Sequence, residues 1–177
     1  MKTKSIAVLM ALTIILSAFT ISKVFNWKIA DGYAVNFVGK DVDGSFSKMT
    51  GEISFDEKDL ASSKFMISID VSSIATGNGM KNRHAKSDKW FDAKQFPSIN
   101  FTSSKISKSS QGYLVEGMLD MHGIKKAISF PFTFSNNIFN GSFSVNRMDY
   151  GVGSMQGMSK KVSDEIKIAI SVPVIKI

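Results

Sequence analysis

The sequence predicts an all-β protein: an antiparallel barrel of eight strands with a short helical insertion near residues 78–93. Three observations point there. Apolar side chains recur at every second position through most of the chain beyond residue 25, the period that sends alternate residues to opposite faces of a sheet. Turn signals separate the runs at Asp43-Gly44, residues 56–63, Ser110-Gln111-Gly112, His122-Gly123 and Asn136-Asn137. The connections are short, so the strands form a meander, and closing a meander into a barrel removes its unpaired edges.

Residues 1–22 place Lys2 and Lys4 ahead of an uncharged apolar run from Ile6 to about Ile21, followed by small residues. That is the layout of a secretory signal peptide, with cleavage fitting after Ala18 or Ser22. The remaining domain, residues 23–177, is then extracytoplasmic, periplasmic or secreted. The run is also close to the roughly 20 residues that span a bilayer, so an uncleaved anchor is the alternative.

Strands are expected at 26–39, 45–56 and 63–71, the last with Phe65, Ile67, Ile69 and Val71 alternating against Lys64, Met66, Ser68 and Asp70. Residues 74–97 break the alternation and carry Met80, His84, Trp90, Phe91 and Phe96 among charges. They read as a short helix and an irregular turn laid across a barrel end, stopped by Pro97. Strands resume at 98–107, 112–121, 126–135 and 138–149, and Ile128, Phe130, Phe132 and Phe134 share one face. Residues 150–162, rich in Gly, Ser and Met, read as a flexible loop before the last strand, 163–175, whose apolar face is Ile166, Ile168, Ile170, Val172 and Val174.

Size and charge narrow the function classes. At 177 residues and 44% hydrophobic content, the chain suits one globular domain with a full core. Twenty-two basic against fifteen acidic side chains leave +7, or +5 without Lys2 and Lys4, and the lysines are scattered. Such a charge favours solubility and weak contact with anionic membrane surfaces. Nucleic acid is a poor fit, because no helix carries a run of Lys and Arg with interleaved aromatics. With no cysteine, disulfides, thiolate metal sites and a lipidated N-terminal Cys are excluded. The oligomeric state stays open, a dimer included.

Catalysis finds few candidates. A nucleophilic triad would have to use His84 or His122, and no Gly-x-Ser-x-Gly elbow occurs. His122 reads as a turn residue bonded to nearby backbone, and two histidines without matched carboxylates make no zinc site. Residues 39–50 place Asp41, Asp43 and Gly44 like the middle of a calcium loop, but Gly39 and Thr50 stand where the outer ligands belong. Gly151, Gly153 and Gly157 miss the dinucleotide spacing by one residue. The expectation is a protein that is not an enzyme and needs no cofactor or metal.

One of the two arginines is more telling. Along 139–149 the odd positions put Arg147 on the face of Phe143 and Val145, which points inward, and a buried guanidinium needs a partner. Asp149 is the nearest candidate. On one reading the pair closes a barrel end; on the other, Arg147 touches a ligand head group at a cavity mouth. An eight-stranded barrel either fills with its own side chains or holds one small ligand. Fourteen phenylalanines suit a solid core, ten pliable methionines favour an adaptable pocket, and the pattern alone does not choose.

Asn78, Arg83, His84, Ser87 and Trp90-Phe91-Asp92, followed by Phe96-Pro97-Ser98-Ile99-Asn100-Phe101, resemble the signature of the YceI family of lipocalin-like, polyisoprenoid-binding proteins. Residues 115–126 resemble its Gly-x-Leu-x-x-His-Gly turn, and residues 147–153 its Arg-x-Asp-x-Gly segment. The resemblance runs from about Trp27 to the C-terminus. It implies a lipocalin-like eight-stranded barrel, exported from the cytoplasm, that holds a long isoprenoid or similar lipid in an apolar tunnel without catalysis. It departs where many members carry a His-Ser pair and a further histidine, since Tyr33-Ala34 and Gly39-Lys40 stand there instead.

The expectation is therefore a protein that sequesters or transports an isoprenoid, quinone-like or fatty-acid-like lipid. Burial of each CH₂ is worth roughly 0.8 kcal/mol and a charged hydrogen bond about 1.5–3, so chain length and shape dominate selectivity. Alternation nominates Phe37, Phe55, Phe65, Ile67, Ile69 and Phe101 as lining from the earlier strands, and Phe130, Phe132, Phe143 and Val145 from the later ones. Trp90, Phe91 and Met155 are candidate gates. Arg83, His84 and Arg147 are candidate head-group or lid contacts, and Asp88 and Asp92 are close enough in sequence to pair with the first two and pin the lid. The alternative is a non-catalytic structural or interaction barrel with a solid core, acting with membrane complexes.

Overall fold

Residues 25–154 and 161–177 are described by a computed structural model of the chain. Strand segments β1 (Asn26–Ile29) and β2 (Ala34–Gly39) form one broken stave, and β3 (Val42–Phe46) with β4 (Met49–Ser54) forms the next. β5 (Lys64–Asp70) follows, then a two-residue β6 (Ile74–Ala75) and helix α1 (Gly79–Lys86). The last five staves are β7 (Ser98–Ser109), β8 (Gly112–Met121), β9 (Ile124–Ser135), β10 (Ile138–Asn146) and β11 (Glu165–Lys176), with antiparallel neighbours throughout. β11 pairs with both halves of the first stave, Trp27 opposite Lys176 and Phe37 opposite Ile168. That pairing closes the expected eight-stranded barrel.

Two strands that alternation carries through are interrupted. The first bends at Asp31-Gly32, with Gly32 at φ 88°, and the second breaks at Ser47-Lys48. Tyr33 bridges both breaks: its hydroxyl donates to Ser47 O at 3.0 Å and accepts from Met49 N at 2.9 Å, satisfying backbone groups that the ladder drops. The expected turn at Asp43-Gly44 lies inside β3. The chain reverses instead at Lys40-Asp41, where Asp41 takes φ 59°. β10 stops at Asn146 because residues 147–150 wind into a 3₁₀ turn, and parity alone hides this.

The remaining hairpins obey turn chemistry. At His122-Gly123 and Asn136-Asn137 both central residues have positive φ, 54° and 75° in the first and 51° and 59° in the second. Such turns match the right-handed twist of the strands they join.

One barrel end is solid. Phe55, only 1% exposed, is ringed by Phe65, Tyr113, Phe132, Phe134 and Phe139 with centroids 5.2–6.1 Å away. Trp27 closes it from below, its Nε1 donating to Phe55 O at 2.9 Å. Tyr113 stacks on Phe132 and donates its hydroxyl to Glu57 Oε1 at 2.5 Å. Burial first, and the Glu57 carboxylate second, push the Tyr113 phenol up to about 12.

Replacing Phe55 by Ala is expected to destabilise the barrel by about 3–5 kcal/mol in urea denaturation, because five rings lose their common partner. Tyr113 predicts a pH effect as well. Its folded pKa lies above the ordinary 10.0, so its contribution is full below pH 10 and lost as pH rises towards 12. Across that window the denaturant midpoint of the native protein falls more steeply than that of Tyr113→Phe.

Candidate functional site

At the end opposite the aromatic plug the staves part. β4 pairs with β5 down from Met49, but above it β3 leaves β5 and pairs with β6, Phe46 opposite Ile74. Residues 71–97 cross the resulting gap. Asn78 caps α1, its side-chain oxygen accepting from Met80 N at 2.9 Å and Lys81 N at 3.1 Å. Asn82 Oδ1 accepts from the backbone N and hydroxyl of Thr76 at 2.8 and 2.7 Å, tying the helix to β6. Ser87 ends it by donating to His84 O. Phe91 N then donates to Ala85 O at 3.0 Å, and the turn carries Trp90 and Phe91 over the barrel end, where Phe91 meets Phe46 edge-on at 6.1 Å.

This end encloses a cavity of about 480 Å³, within the roughly 300–1,000 Å³ of small-molecule sites. Its wall is apolar, and the polar side chains Asp41, Thr76, Lys81, His84, Arg147 and Lys161 gather at the mouth, where the connecting segments meet. A deeper chamber of about 120 Å³ towards the plug is lined by apolar side chains alone. Val35, Ile69, Ile99, Leu119, Phe143 and Ile168 line both.

Most of the residues nominated by alternation face these spaces. Phe37, Trp90, Phe91 and Val145 line the outer chamber, Phe65, Ile67, Phe101, Phe130 and Phe132 the inner one, and Ile69 and Phe143 both. Phe55 does not: it is the centre of the plug, because period two gives a side chain's face but not its height along the barrel axis. Met155 and residues 1–22 lie outside the described residues.

Arg147, 4% exposed, uses all five of its N–H donors. Nε donates to Ser163 O (3.0 Å), Nη1 to Val152 O (2.8 Å) and Gly153 O (3.1 Å), and Nη2 to Val162 O (3.2 Å) and Asp164 Oδ1 (2.8 Å). Trp90 lies over the guanidinium, 5.4 Å from its carbon to the ring centroid. The carboxylate partner is therefore Asp164 rather than the expected Asp149, which the 3₁₀ turn directs to Lys126 at 3.2 Å. With its donors committed, Arg147 holds the mouth segments together and has no N–H left for a head group. Gly153 shows how close the fit is: its φ is 66°, and a Cβ there would stand 2.6 Å from the Trp90 ring.

Arg83 and His84 do not pin the lid. α1 buries no residue, both side chains are exposed, and among the described residues neither pairs with Asp88 or Asp92. His84 lines the mouth and Arg83 does not. His122 reaches further than its own turn, with Nδ1 3.0 Å from Tyr150 O and its ring edge-on to Phe96 at 4.6 Å. At the two places where the resemblance leads one to expect histidines, the residues present have structural work. Tyr33 bridges the strand breaks, and Gly39 admits Ser163, whose Oγ accepts from Lys40 N at 2.9 Å. Ile99 and Leu119 went unnominated although the alternation of their strands marks them. Lys81 and Lys161 have no signal in the sequence pattern.

The model of the YceI-like domain matches residues 20–174. The chain belongs to the YceI-like family. Among its curated relatives, a UPF0312 protein of Yersinia enterocolitica is 33% identical over 86 residues, 49% of this chain and 45% of the relative. One of Vibrio campbellii is 32% identical over 94 residues, 52% of this chain and 50% of the relative. The chain thus spans about half the length of the curated relatives it matches. Among solved structures, BcnA of Burkholderia cenocepacia is 29% identical with a TM-score of 0.75, covering 81% of this chain and 96% of that one. A polyisoprenoid binding domain from Saccharophagus degradans, 17% identical with a TM-score of 0.62, covers 85% of this chain and 97% of that one, a likeness of fold.

Replacing Arg147 by Ala leaves four backbone carbonyls without their donor and is expected to cost about 3–5 kcal/mol. Asp164→Ala takes one acceptor from a guanidinium 5% exposed, at a position open to water, and is expected to cost about 1–3 kcal/mol, less than Arg147→Ala. Urea denaturation of the two variants side by side checks the contrast.

Proposed function

We propose that the protein is an extracytoplasmic lipid-binding protein that takes the hydrocarbon chain of an isoprenoid-type amphiphile into its two chambers, keeps the head at the mouth, and so sequesters or carries it. The observation that carries this reading is the distribution of polarity in the roughly 480 Å³ cavity: an apolar wall, with polar side chains at one end only. A chain threaded tail-first meets nothing polar down to Phe132, and each CH₂ withdrawn from water contributes about 0.8 kcal/mol. Fold likeness to a polyisoprenoid binding domain supports the isoprenoid class, and quinone-like and fatty-acid-like chains suit the same wall. The basic-then-apolar residues 1–22 support export, periplasmic or secreted.

The chemistry is that of binding. His122 is engaged by backbone and a ring, and His84 stands exposed at the mouth without a carboxylate partner among the described residues. The aromatic plug fills one end alone, so a solid core accounts for only part of the barrel.

Organic extraction of the purified protein followed by mass spectrometry is expected to release a hydrophobic molecule. Repeated absence, with no uptake of added prenyl lipids, contradicts the proposal. Leu119 lines both chambers, so Leu119→Trp narrows the passage between them at a cost of about 1–3 kcal/mol. Competition among prenyl alcohols of graded length is then expected to show loss of the longest chains and retention of the short ones.

A further inference from the structure

The segment over the mouth is cationic and meets few partners of its own. Residues 79–95 carry Lys81, Arg83, Lys86, Lys89 and Lys94 against Asp88 and Asp92, a balance of +3. Among the described residues none of those five cations forms an ion pair. Beside them Met80, one turn from Arg83, is 60% exposed on a helix that buries nothing. Ile124 and Met148 are exposed by 38% each at the same barrel end. At the opposite end the 56–63 loop carries Asp56, Glu57 and Asp59 against Lys58, a local balance of −2, while Lys64, Lys108 and Lys176 stand around it. The five cations of residues 79–95, beside an exposed methionine, thus give the mouth a basic face that a negatively charged plane attracts.

We propose that α1 and the turn after it form a docking face for an anionic phospholipid bilayer, with Met80 entering the interface and Arg83, Lys89 and Lys94 meeting lipid phosphates. The proposal rests on the lipid-binding reading of the cavity and supplies its missing step. A lipid leaving the bilayer under Trp90 and Phe91 passes into the outer chamber without its chain crossing water. An acidic protein surface would satisfy the lysines, but it would leave unexplained why the exposed methionine and the opening of an apolar cavity share this face. Scattered cations around one protruding apolar side chain fit a fluid headgroup layer, which needs no fixed complement.

The chain has no cysteine, so one label reports one position. The full chain carries an environment-sensitive fluorophore on Met80→Cys or, at the plug end, on Gln111→Cys. Each is mixed with vesicles of phosphatidylglycerol and phosphatidylcholine, or of phosphatidylcholine alone. The expected result is a blue shift at position 80 on the anionic vesicles only, none at position 111, and reversal by high salt. Arg83→Glu/Lys89→Glu/Lys94→Glu, at side chains that do not line the cavity, is expected to weaken that partition by roughly a hundredfold at low salt. No shift at position 80, an equal shift on phosphatidylcholine, or a shift at position 111 overturns the proposal. Extraction and mass spectrometry of the same triple variant keep the two readings apart. Unchanged lipid content with lost vesicle binding supports docking as a separate function of this face, and an empty cavity in the native protein counts against the lipid-binding reading alone.

Discussion

A guanidinium withdrawn from water must find an acceptor for each of its five N–H groups, and the open end of this barrel is organised around that demand. Arg147 takes four backbone carbonyls and one carboxylate from the stretch that joins β10 to β11, and Trp90 from the crossing segment packs on its face. One side chain thus fixes both described flanks of a long connection and the aromatic that overhangs the cavity. The same commitment removes the most specific anion-binding group from the mouth. Asp41, Thr76, Lys81, His84 and Lys161 remain there, a mixed set of charges that, on the proposed lipid-binding reading, receives a head without imposing one geometry.

The plug and the chambers depend on each other. Phe55 and its five ring neighbours concentrate the interlocked packing at one end, which leaves the other end free to stay hollow without forfeiting the fold. An apolar hollow is not neutral, because side chains lining it lack contact atoms on one side. A hydrocarbon chain restores those contacts, so the emptiness that costs the unloaded protein stability is also what favours a ligand.

The period-two pattern made the staves, their inward faces and the helical interruption legible, and it placed Arg147 on the inside. It was blind to anything set by the register of distant strands. The height of Phe55 along the axis follows from pairing of β4 with the distant β1, Ser54 opposite Asn26 and Phe55 N bonded to Phe25 O, which alternation within one strand does not show. Parity also carried 26–39 and 138–149 through their real ends, since a bend at Asp31-Gly32 and a 3₁₀ turn at 147–150 leave the alternation of apolar residues undisturbed. Sequence proximity misled for charges: Asp149 is two residues from Arg147 yet faces Lys126, and Asp164 comes from across the loop. The expected pairing of Arg83 and His84 with Asp88 and Asp92 is absent among the described residues for a related reason, because α1 lies on the barrel end and buries none of its residues.

The account stands or falls on where a hydrocarbon chain sits. A crystal structure of the protein with a bound prenyl lipid tests this most directly. The account predicts continuous density from the mouth near Lys81, His84 and Lys161, past Leu119 and Phe143, to an end against Phe132, with Arg147 still bonded to its loop carbonyls. Lipid density on the outer face of the barrel, or chambers filled by collapsed side chains with no lipid inside, would contradict it.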